Sequence, residues 1–147
     1  MVKVSIITPV YNGSRYFNEY FKCLANQTFK DFEILIIDDC STDNSLKNLK
    51  KIKKKERRLH IIENTSTCGP GFCRNLALSK ARGRFIAFCD VDDTWEPKKL
   101  EIQLDRLKST GEILCATDVA LIDQHGKLLG SRKLKYSRLT LRHMKLK

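Results

Sequence analysis

The stretch EILIIDDCSTD, at residues 33–43, decides the fold class of this chain. Its first half, Glu33–Asp38, places four apolar residues in a row, as in a strand that is covered on both faces. The polar residues 39–43 that follow are typical of a loop that leads into a helix. A strand, an acidic loop and a helix in this order indicate a parallel sheet, whose ligands bind at the carboxyl ends of its strands.

The same alternation of strand and helix continues along the chain. Further strands are predicted on apolar runs at Val4–Thr8, Leu59–Ile62 and Arg84–Cys89. Apolar residues at helical spacing predict helices within residues 16–24, 46–52, 71–81 and 97–107. Pro9 is expected to end the first strand, and Pro97 suits a first helical position. Residues 113–117 and 119–122 are expected to add strands, so we predict an α/β fold with a mostly parallel sheet and helices on both faces.

The length and composition favour one globular domain. The chain has 147 residues, of which 41% are hydrophobic. No apolar run approaches the roughly 18 residues of a membrane-spanning helix, and the first residues lack the features of a signal peptide. We therefore expect a cytoplasmic protein. The six cysteines form no Cys-x-x-Cys pair, so reduced, buried thiols are expected rather than a zinc site.

The net charge of +11 is unevenly distributed. Residues 47–58 hold eight Lys/Arg and one Glu, and residues 127–147 hold eight Lys/Arg and no acid. These segments are net +7 and +8, so the remainder of the chain is −4. Residues 50–58 are interpreted either as a solvated helix face or as a surface for peripheral contact with an anionic membrane. Nucleic acid is not expected, because the basic residues are not interleaved with aromatics.

The acidic run Asp90-Val91-Asp92-Asp93 follows the predicted strand Arg84–Cys89. Asp90 and Asp92 are two residues apart, so they are expected to point the same way from the end of the strand. Two such carboxylates suit Mg²⁺ or Mn²⁺, which also takes phosphate oxygens and water. The alternative is that Asp93 or Thr94 caps the next helix, which explains one of these residues but not three acids.

Two other strand ends carry polar or aromatic side chains. Asp39 is a candidate acceptor of hydrogen bonds from a base or ribose, while Ser41 or Asp43 is expected to cap a helix. Tyr11, after the first strand, is interpreted either as a core residue or as a platform for a nucleobase. The acids at the two acidic strand ends are expected to converge on one rim, where their repulsion requires a cation or hydrogen-bond donors; they are Asp38, Asp39, Asp90, Asp92 and Asp93.

A glycine-rich segment, residues 69–75, opens a predicted helix. Such helix starts can hold phosphate, although two glycines in this spacing are a weak signal. Arg74 is expected in the first helical turn, where the helix dipole disfavours a cation. Its position therefore suggests that it holds an anion or an acidic loop.

Four ordered motifs together resemble family 2 glycosyltransferases of the GT-A fold. They are VSIITPVYN at residues 4–12, DDCSTDNS at 38–45, GFCRN at 71–75 and GRFIAFCDVDD at 83–93, with Trp95, Pro97 and Leu100 following. The resemblance covers residues 2–125. It implies the Rossmann-like GT-A sheet and an inverting transferase that uses a nucleoside-diphosphate sugar, often UDP-linked, with Mn²⁺ or Mg²⁺.

The resemblance also implies roles for particular residues. The residues implied in nucleotide-sugar binding are Thr8, Pro9, Tyr11, Asp39, Arg74 and Asp90, and those implied in metal binding are Asp92, as the chief ligand, and Asp90. Pro9 and Tyr11 would line the base pocket and Asp39 would contact the base. Cys40 stands where the family usually has glycine, which restricts the turn without removing a ligand.

The resemblance places the catalytic base and the acceptor-binding half in a later segment. Asp118 and Asp123 are available acids, but neither matches the expected motif, so no base is assigned. We expect residues 1–126 to form the nucleotide-sugar-binding part and residues 127–147 to begin a missing acceptor-binding half, which makes the GT-A fold incomplete. The basic, apolar tail is then expected to promote self-association.

Three functions remain open on the sequence alone. The first is transfer of a sugar to a glycan or lipid-linked acceptor in surface polysaccharide assembly. The second is a fragment that binds nucleotide-sugar and metal without turnover. The third is a basic protein that binds a membrane surface or nucleic acid, whose affinity would fall steeply with salt.

Overall fold

The computed structural model describes residues 2–123 and 126–133, which form two compact units that divide after Leu100. The strands are β1 (Val4–Val10), β2 (Phe32–Asp38), β3 (Leu59–Glu63), β4 (Phe85–Phe88), β5 (Val119–Ile122) and β6 (Leu128–Arg132). The helices are α1 (Phe17–Ala25), α2 (Ser45–Lys53), α3 (Pro70–Leu78) and α4 (Lys99–Thr110), and a short 3-10 helix at Ser14–Tyr16 precedes α1.

The sheet of the first unit has the strand order β3-β2-β1-β4, and all its neighbouring strands are parallel. The chain moves outward from β1 through β2 to β3 and then returns to place β4 on the other side of β1. The order therefore reverses between β1 and β4, which is where open α/β sheets bind ligands, outside the carboxyl ends of the strands. The predicted α/β fold with a parallel sheet is confirmed.

Helices cover both faces of this sheet, as predicted. On one face, Cys73 and Ala77 of α3 join a buried cluster with Ile7 and residues of β2. Thr8 points to the opposite face, because side chains alternate along a strand, and there it hydrogen-bonds the hydroxyl of Tyr20 in α1. All seven residues of β2 are buried, which explains its continuous apolar run.

Two predicted element boundaries and one predicted strand were wrong. β1 continues through Pro9 to Val10, because the missing N–H of Pro9 faces the β4 side, where pairing has ended at Ile7. α4 begins at Lys99, since Pro97 lies in a turn whose carbonyl accepts the N–H of Thr28 at 2.8 Å. Residues 113–117 form no strand.

A buried carboxylate organises the amino edge of the sheet. Glu33 accepts a hydrogen bond from the Ser5 hydroxyl at 2.7 Å and is held by the Arg82 guanidinium, with Nη2 at 2.6 Å. The Gly83 N–H donates to the same Ser5 hydroxyl at 2.8 Å. A Cβ on Gly83 would lie 2.4 Å from the backbone nitrogen of Ser5, so only glycine allows this approach. This cluster lies at the edge opposite the predicted site.

The second unit contains a two-stranded antiparallel sheet, in which β5 pairs with β6. The predicted domain boundary after residue 126 stays a prediction. The tail at residues 134–147, on which the predicted self-association depends, lies outside the described residues. Among the cysteines, Cys23, Cys73 and Cys89 are buried as expected, whereas Cys68 is exposed.

Candidate functional site

The loop after β1 is fastened to the loop after β2. Asn12 has a φ of 52°, in the left-handed region that asparagine tolerates better than most residues. Its side-chain Oδ1 accepts the backbone N–H groups of Thr42 at 2.8 Å and Asp43 at 3.2 Å. In return, the Asn12 N–H donates to the Ser41 hydroxyl at 3.0 Å. These bonds hold the backbone beside Tyr11, whose side chain is 54% exposed at the carboxyl edge.

The expected helix cap before α2 takes a different form. The residue that precedes α2 is Asn44, and its side chain makes no capping hydrogen bond. Asp43, one position earlier, accepts the N–H of Ser45 at 2.8 Å, while its other oxygen accepts the Ser14 hydroxyl at 2.7 Å. Ser41 instead bonds Asn12, so neither predicted cap occupies the N-cap position, although Asp43 satisfies a first-turn donor.

Asp39 is buried and holds the loop that precedes α3. Its Oδ1 accepts the Asn64 side chain at 2.8 Å and the Cys68 N–H at 2.9 Å, and its Oδ2 accepts the Gly69 N–H at 2.7 Å. Burial raises the pKa of the Asp39 carboxyl, but these hydrogen bonds outweigh it, so the pKa lies below its ordinary value. Oδ1 already accepts two hydrogen bonds, whereas Oδ2 accepts one and retains capacity for one more donor from a ligand.

The glycine-rich helix start is thus already occupied by a carboxylate. Gly69 has a φ of 86°, which lets the chain turn into α3 while its N–H points at Asp39. Asn64 and the loop at residues 65–68 were not predicted as site residues. Their only sequence signal is the glycine pair, because their contact with Asp39 spans about 30 positions.

Two neighbours of Asp39 carry unusual features. Asp38 is buried, its Oδ2 accepts the Ser41 N–H at 3.1 Å, and its Oδ1 has no hydrogen-bond partner among the described residues. Cys40 has a φ of 61°, a conformation that costs about 1 kcal/mol for a residue with a side chain. This left-handed turn explains why glycine would suit the position of Cys40.

The acidic loop after β4 is a turn rather than a continued strand. The Asp93 N–H donates to the Asp90 carbonyl at 3.0 Å, so the strand alternation that was expected to align Asp90 with Asp92 does not apply. Asp90 is exposed and pairs with Arg74 Nη2 at 2.6 Å. Asp92 is exposed and accepts no hydrogen bond from the described residues. Burial, and then the charges of Asp92 and Asp90, raise the pKa of Asp93 above its ordinary value.

Arg74 holds the acidic loop, as predicted, but not for the predicted reason. α3 begins at Pro70, so Arg74 is its fifth residue and lies beyond the first turn. The helix dipole therefore acts on it less than expected. The ion pair with Asp90 is the interaction that orients the Arg74 side chain.

Gly13 allows the loops after β1 and β4 to meet. A Cβ on Gly13 would lie 3.0 Å from a methyl carbon of Val91 and 3.2 Å from one of Val10. The absence of a side chain at Gly13 therefore brings the Asp90–Asp93 turn against the end of β1. This contact places the acidic turn at the switch point of the sheet.

The five acids, which were expected to converge on one rim, follow two strands of the sheet that are not neighbours. Asp38 and Asp39 follow β2, whereas the other three follow β4, and β1 lies between these strands. Two strand spacings separate the groups by about 10 Å. The edge therefore presents Asp39, Tyr11 and the acidic turn in a row, across the ends of β2, β1 and β4.

Two of the predicted nucleotide-binding residues lie deeper than this row. Thr8 is fully buried, and its hydroxyl is shared with Tyr20 on the α1 face. Pro9 is half-buried within β1. The structure brings Tyr11, Arg74 and Asp90 to the accessible edge and leaves the side chain of Thr8 beneath it.

The donor set partly fits a divalent cation. Among the described residues, no group of three or more His, Cys, Asp or Glu side chains is arranged to hold a metal ion. Asp90 and Asp92 nevertheless offer exposed carboxylate oxygens, which are the ligands that Mg²⁺ and Mn²⁺ take. Such an ion is commonly held by one or two carboxylates together with substrate phosphates. The acidic turn fits this open type of site.

The sequence model of the family described as "Glycosyl transferase family 2" matches residues 5–146. The parallel sheet, the acidic turn after β4 and this match define the class together: the chain belongs to glycosyl transferase family 2. The predicted resemblance is therefore confirmed.

Individual relatives agree with this membership. The chain is 32% identical over 139 residues to the Escherichia coli "UDP-Glc:alpha-D-GlcNAc-diphosphoundecaprenol beta-1,3-glucosyltransferase WfgD", covering 92% of this chain and 54% of WfgD. It resembles the crystal structure of S. aureus TarS 1–349 in complex with UDP-GlcNAc at a TM-score of 0.68 and 35% identity, covering 73% of this chain and 31% of the other. The chain thus spans about half the length of WfgD and less of TarS.

A more distant structure supports the fold alone. The mannosyltransferase PcManGT from Pyrobaculum calidifontis, in complex with GDP-Man and Mn²⁺, has a TM-score of 0.67 at 24% identity and covers 71% of this chain. Within the part of the chain that the structure describes, no helix combines the length and the apolar character needed to cross a bilayer.

Proposed function

We propose that this chain is the donor-binding part of an inverting glycosyltransferase that uses a nucleoside-diphosphate sugar and a divalent cation. The observation that supports it is the row at the carboxyl edge of the sheet, where Asp39, Tyr11 and the acidic turn follow adjacent strands. In such a row, Asp39 would accept hydrogen bonds from the nucleoside, the ring of Tyr11 would stack on the base, and the carboxylates of the acidic turn would hold a cation bound to the diphosphate. The family membership of the chain supports a glycosyltransferase.

The nucleoside end is assigned to Asp39 and Tyr11. Tyr11 is more than half exposed and its backbone is held by the Asn12 bonds, so its ring can receive a base without rearrangement. Asp39 is ionised and fixed from behind by the 64–69 loop, so it can accept a base or ribose donor. TarS was crystallised with UDP and with UDP-GlcNAc, which supports a uridine donor here.

The diphosphate end is assigned to the acidic turn. Asp92, with Asp90 beside it, would hold Mn²⁺ or Mg²⁺, which would supply Lewis-acid stabilisation of the departing diphosphate. Arg74 adds a fixed positive charge next to Asp90 and would face the nucleotide phosphates. Gly13 and Val91 set the position of the turn against β1.

The acceptor is proposed to be a glycan or lipid-linked saccharide of a surface polysaccharide. WfgD is named for a diphosphoundecaprenol-linked acceptor and TarS for poly(ribitol-phosphate), so the two names give a lipid-linked and a polymeric acceptor. No residue is assigned as the base. Asp118 and Asp123 each have a partner within the chain, and Asp123 accepts the Lys127 N–H at 2.9 Å.

Titration of the full 147-residue chain with UDP, with and without Mn²⁺, tests the proposal. We expect Mn²⁺ to tighten UDP binding, and Asp92→Ala to remove most of that gain while UDP binding without metal stays the same. Asp105→Ala is the matched control, since it deletes an exposed carboxylate from α4. Binding of UDP that ignores Mn²⁺, or an equal effect of both variants, would contradict the metal assignment.

A turnover assay distinguishes a chain that transfers or hydrolyses the sugar from one that only binds the donor. If the chain also transfers or hydrolyses the sugar, release of UDP from UDP-GlcNAc will depend on Mn²⁺ and fall in Asp92→Ala. If it only binds the donor, the titration will succeed while UDP release stays at the background rate. Loss of both signals would remove the nucleotide-sugar proposal itself.

A further inference from the structure

The outer side of α2 carries a row of lysines. Lys47, Lys51 and Lys54 are spaced at i, i+4 and i+7, so they lie above one another on one face over about 10 Å. All three are exposed, and Lys50 and Lys55 flank the row. The opposite side of the helix is fixed to the protein through the fully buried Leu49.

The charges of this row are not neutralised by the protein. Lys50 pairs with Glu63 at 3.0 Å and Arg58 pairs with Glu56 at 2.7 Å. Within residues 2–123 and 126–133, no acidic side chain forms an ion pair with Lys47, Lys51 or Lys54. Glu63 and Glu56 therefore pair with basic residues outside the row, and the charges of the three lysines remain unneutralised.

Helix stability explains only part of the row. Cations near the carboxyl end of a helix are favoured by its dipole, which accounts for Lys51 and Lys54. Lys47 is the third residue of α2, where the dipole disfavours a cation. Lysines four apart also repel each other, at a cost of a few tenths of a kcal/mol per pair. An anionic partner would relieve both effects.

We propose that this basic face of α2, centred on Lys47, Lys51 and Lys54, docks on an anionic lipid surface. Four to eight basic residues on one helix face are typical of binding to acidic headgroups. Lysine is a strongly hydrated point charge rather than a planar phosphate clamp, which suits a diffuse layer of headgroups. No aromatic side chain occurs between residues 47 and 58, so the stacking surface expected for single-stranded nucleic acid is missing.

Leu49 is buried and the other apolar residues of α2, Leu46 and Ile52, are half-buried, so the exposed face presents lysines rather than apolar side chains for insertion into the bilayer. Binding should therefore be peripheral and electrostatic. It should weaken strongly between about 0.1 M and about 1 M salt, as the Debye length falls from about 10 Å to about 3 Å. None of the three lysines is assigned to the donor site, so the inference does not depend on the proposed function.

Sedimentation with vesicles tests the inference. The full chain is mixed with vesicles of phosphatidylcholine alone or with an equal part of phosphatidylglycerol. We expect binding only to the anionic vesicles, and a loss of about 100-fold in the variant K47Q/K51Q/K54Q, from about fivefold for each lysine near the surface. The control K22Q/K80Q/K98Q removes the same charge from exposed lysines elsewhere and should lose far less.

Both variants keep the basic segment at residues 127–147, so that segment cannot produce a difference between them. Equal losses in the two variants would show that only net charge matters and would overturn the inference. The same conclusion follows if the wild-type chain binds neutral vesicles equally well. A DNA oligonucleotide that displaces the vesicles at equal phosphate concentration would assign the face to nucleic acid instead. Urea unfolding of both variants checks that α2 remains folded.

Discussion

At the scale of single residues, Arg74 faces two competing demands. Its guanidinium lies 2.6 Å from Asp90, a carboxylate that the proposed cation also needs. When a cation and a diphosphate bind, Asp90 would turn to the metal and Arg74 would be free to contact the phosphates. The ion pair thus keeps the acidic turn partly neutralised before the ligands arrive.

Arg74→Gln should therefore change metal and nucleotide binding in opposite directions. Without nucleotide, Mn²⁺ should bind about two- to fivefold more tightly, because a partly exposed ion pair is worth at most about 1 kcal/mol. With Mn²⁺ present, UDP should bind about tenfold or more weakly, since a charged hydrogen bond contributes about 1.5–3 kcal/mol. Electron paramagnetic resonance of free Mn²⁺ and calorimetry with UDP measure the two effects.

Arg74→Lys is the control for charge, and it should leave Mn²⁺ binding near the wild-type value. Weaker Mn²⁺ binding in Arg74→Gln would show that Arg74 assists metal binding. In that case Arg74 would order Asp90 for the metal rather than compete with it, and the proposed exchange would be wrong.

The residues that the sequence identified are those whose chemistry is local. The acids of the 90–93 run and Asp39 follow strands directly, so their place at the carboxyl edge was predictable. Asn64 and Cys68 were not, because they reach Asp39 across more than 20 positions and have ordinary residue types for a loop. The burial of Thr8 depends on Tyr20 in α1, a contact that no local pattern reveals.

At the scale of elements, the loops after β1 and β2 behave as one unit. Asn12 bonds the backbone of Thr42 and Asp43, and Gly13 donates to the Ser45 hydroxyl at 3.0 Å. These contacts tie the backbone near Tyr11 to the first turn of α2. Local sequence does not reveal this connection, since the partner loop lies about 30 residues away.

Substitutions at Asn12 should distinguish the effect of its side-chain hydrogen bonds from the effect of its left-handed backbone conformation. Asn12→Gly keeps the left-handed φ but deletes the accepted hydrogen bonds, and should lower the free energy of unfolding by about 1 kcal/mol. Asn12→Ala also places a side-chain carbon in the disfavoured region, which should add about 1 kcal/mol. Urea unfolding at neutral pH measures both. Equal, negligible losses would mean that the two loops are held together by other contacts.

The strand boundaries show why element ends were less predictable than element types. β1 passes through Pro9 because its pairing with β4 stops before that residue, which depends on where β4 ends. The Asp90–Asp93 segment forms a turn because the Asp93 N–H finds the Asp90 carbonyl. In both places the neighbouring element, rather than the local sequence, decides the geometry.

At the scale of the whole molecule, the proposed ligand site and a stabilising cluster lie at opposite edges of the sheet of the first unit. The proposed ligand site occupies the carboxyl edge, while the amino edge is closed by Glu33 with Ser5 and Arg82. Burial raises the pKa of Glu33, but the hydrogen bonds from Ser5 and Arg82 outweigh it and hold the pKa below its ordinary value of 4.5. The folded state therefore favours the ionised form of Glu33.

The contribution of Glu33 should depend on pH in one direction. Because its pKa is lower in the folded than in the unfolded chain, its stabilisation is complete above the unfolded value of about 4.5 and is lost as the pH falls through the folded value. Glu33→Gln should cost about 2 kcal/mol of unfolding free energy at pH 7, since Arg82 remains largely solvated when its partner is gone. The difference between variant and wild type should shrink as the pH falls below 4.5, because a protonated Glu33 resembles glutamine. Urea unfolding across this range measures the difference, and a gap that stays constant with pH would show that the ionisation of Glu33 does not contribute to stability.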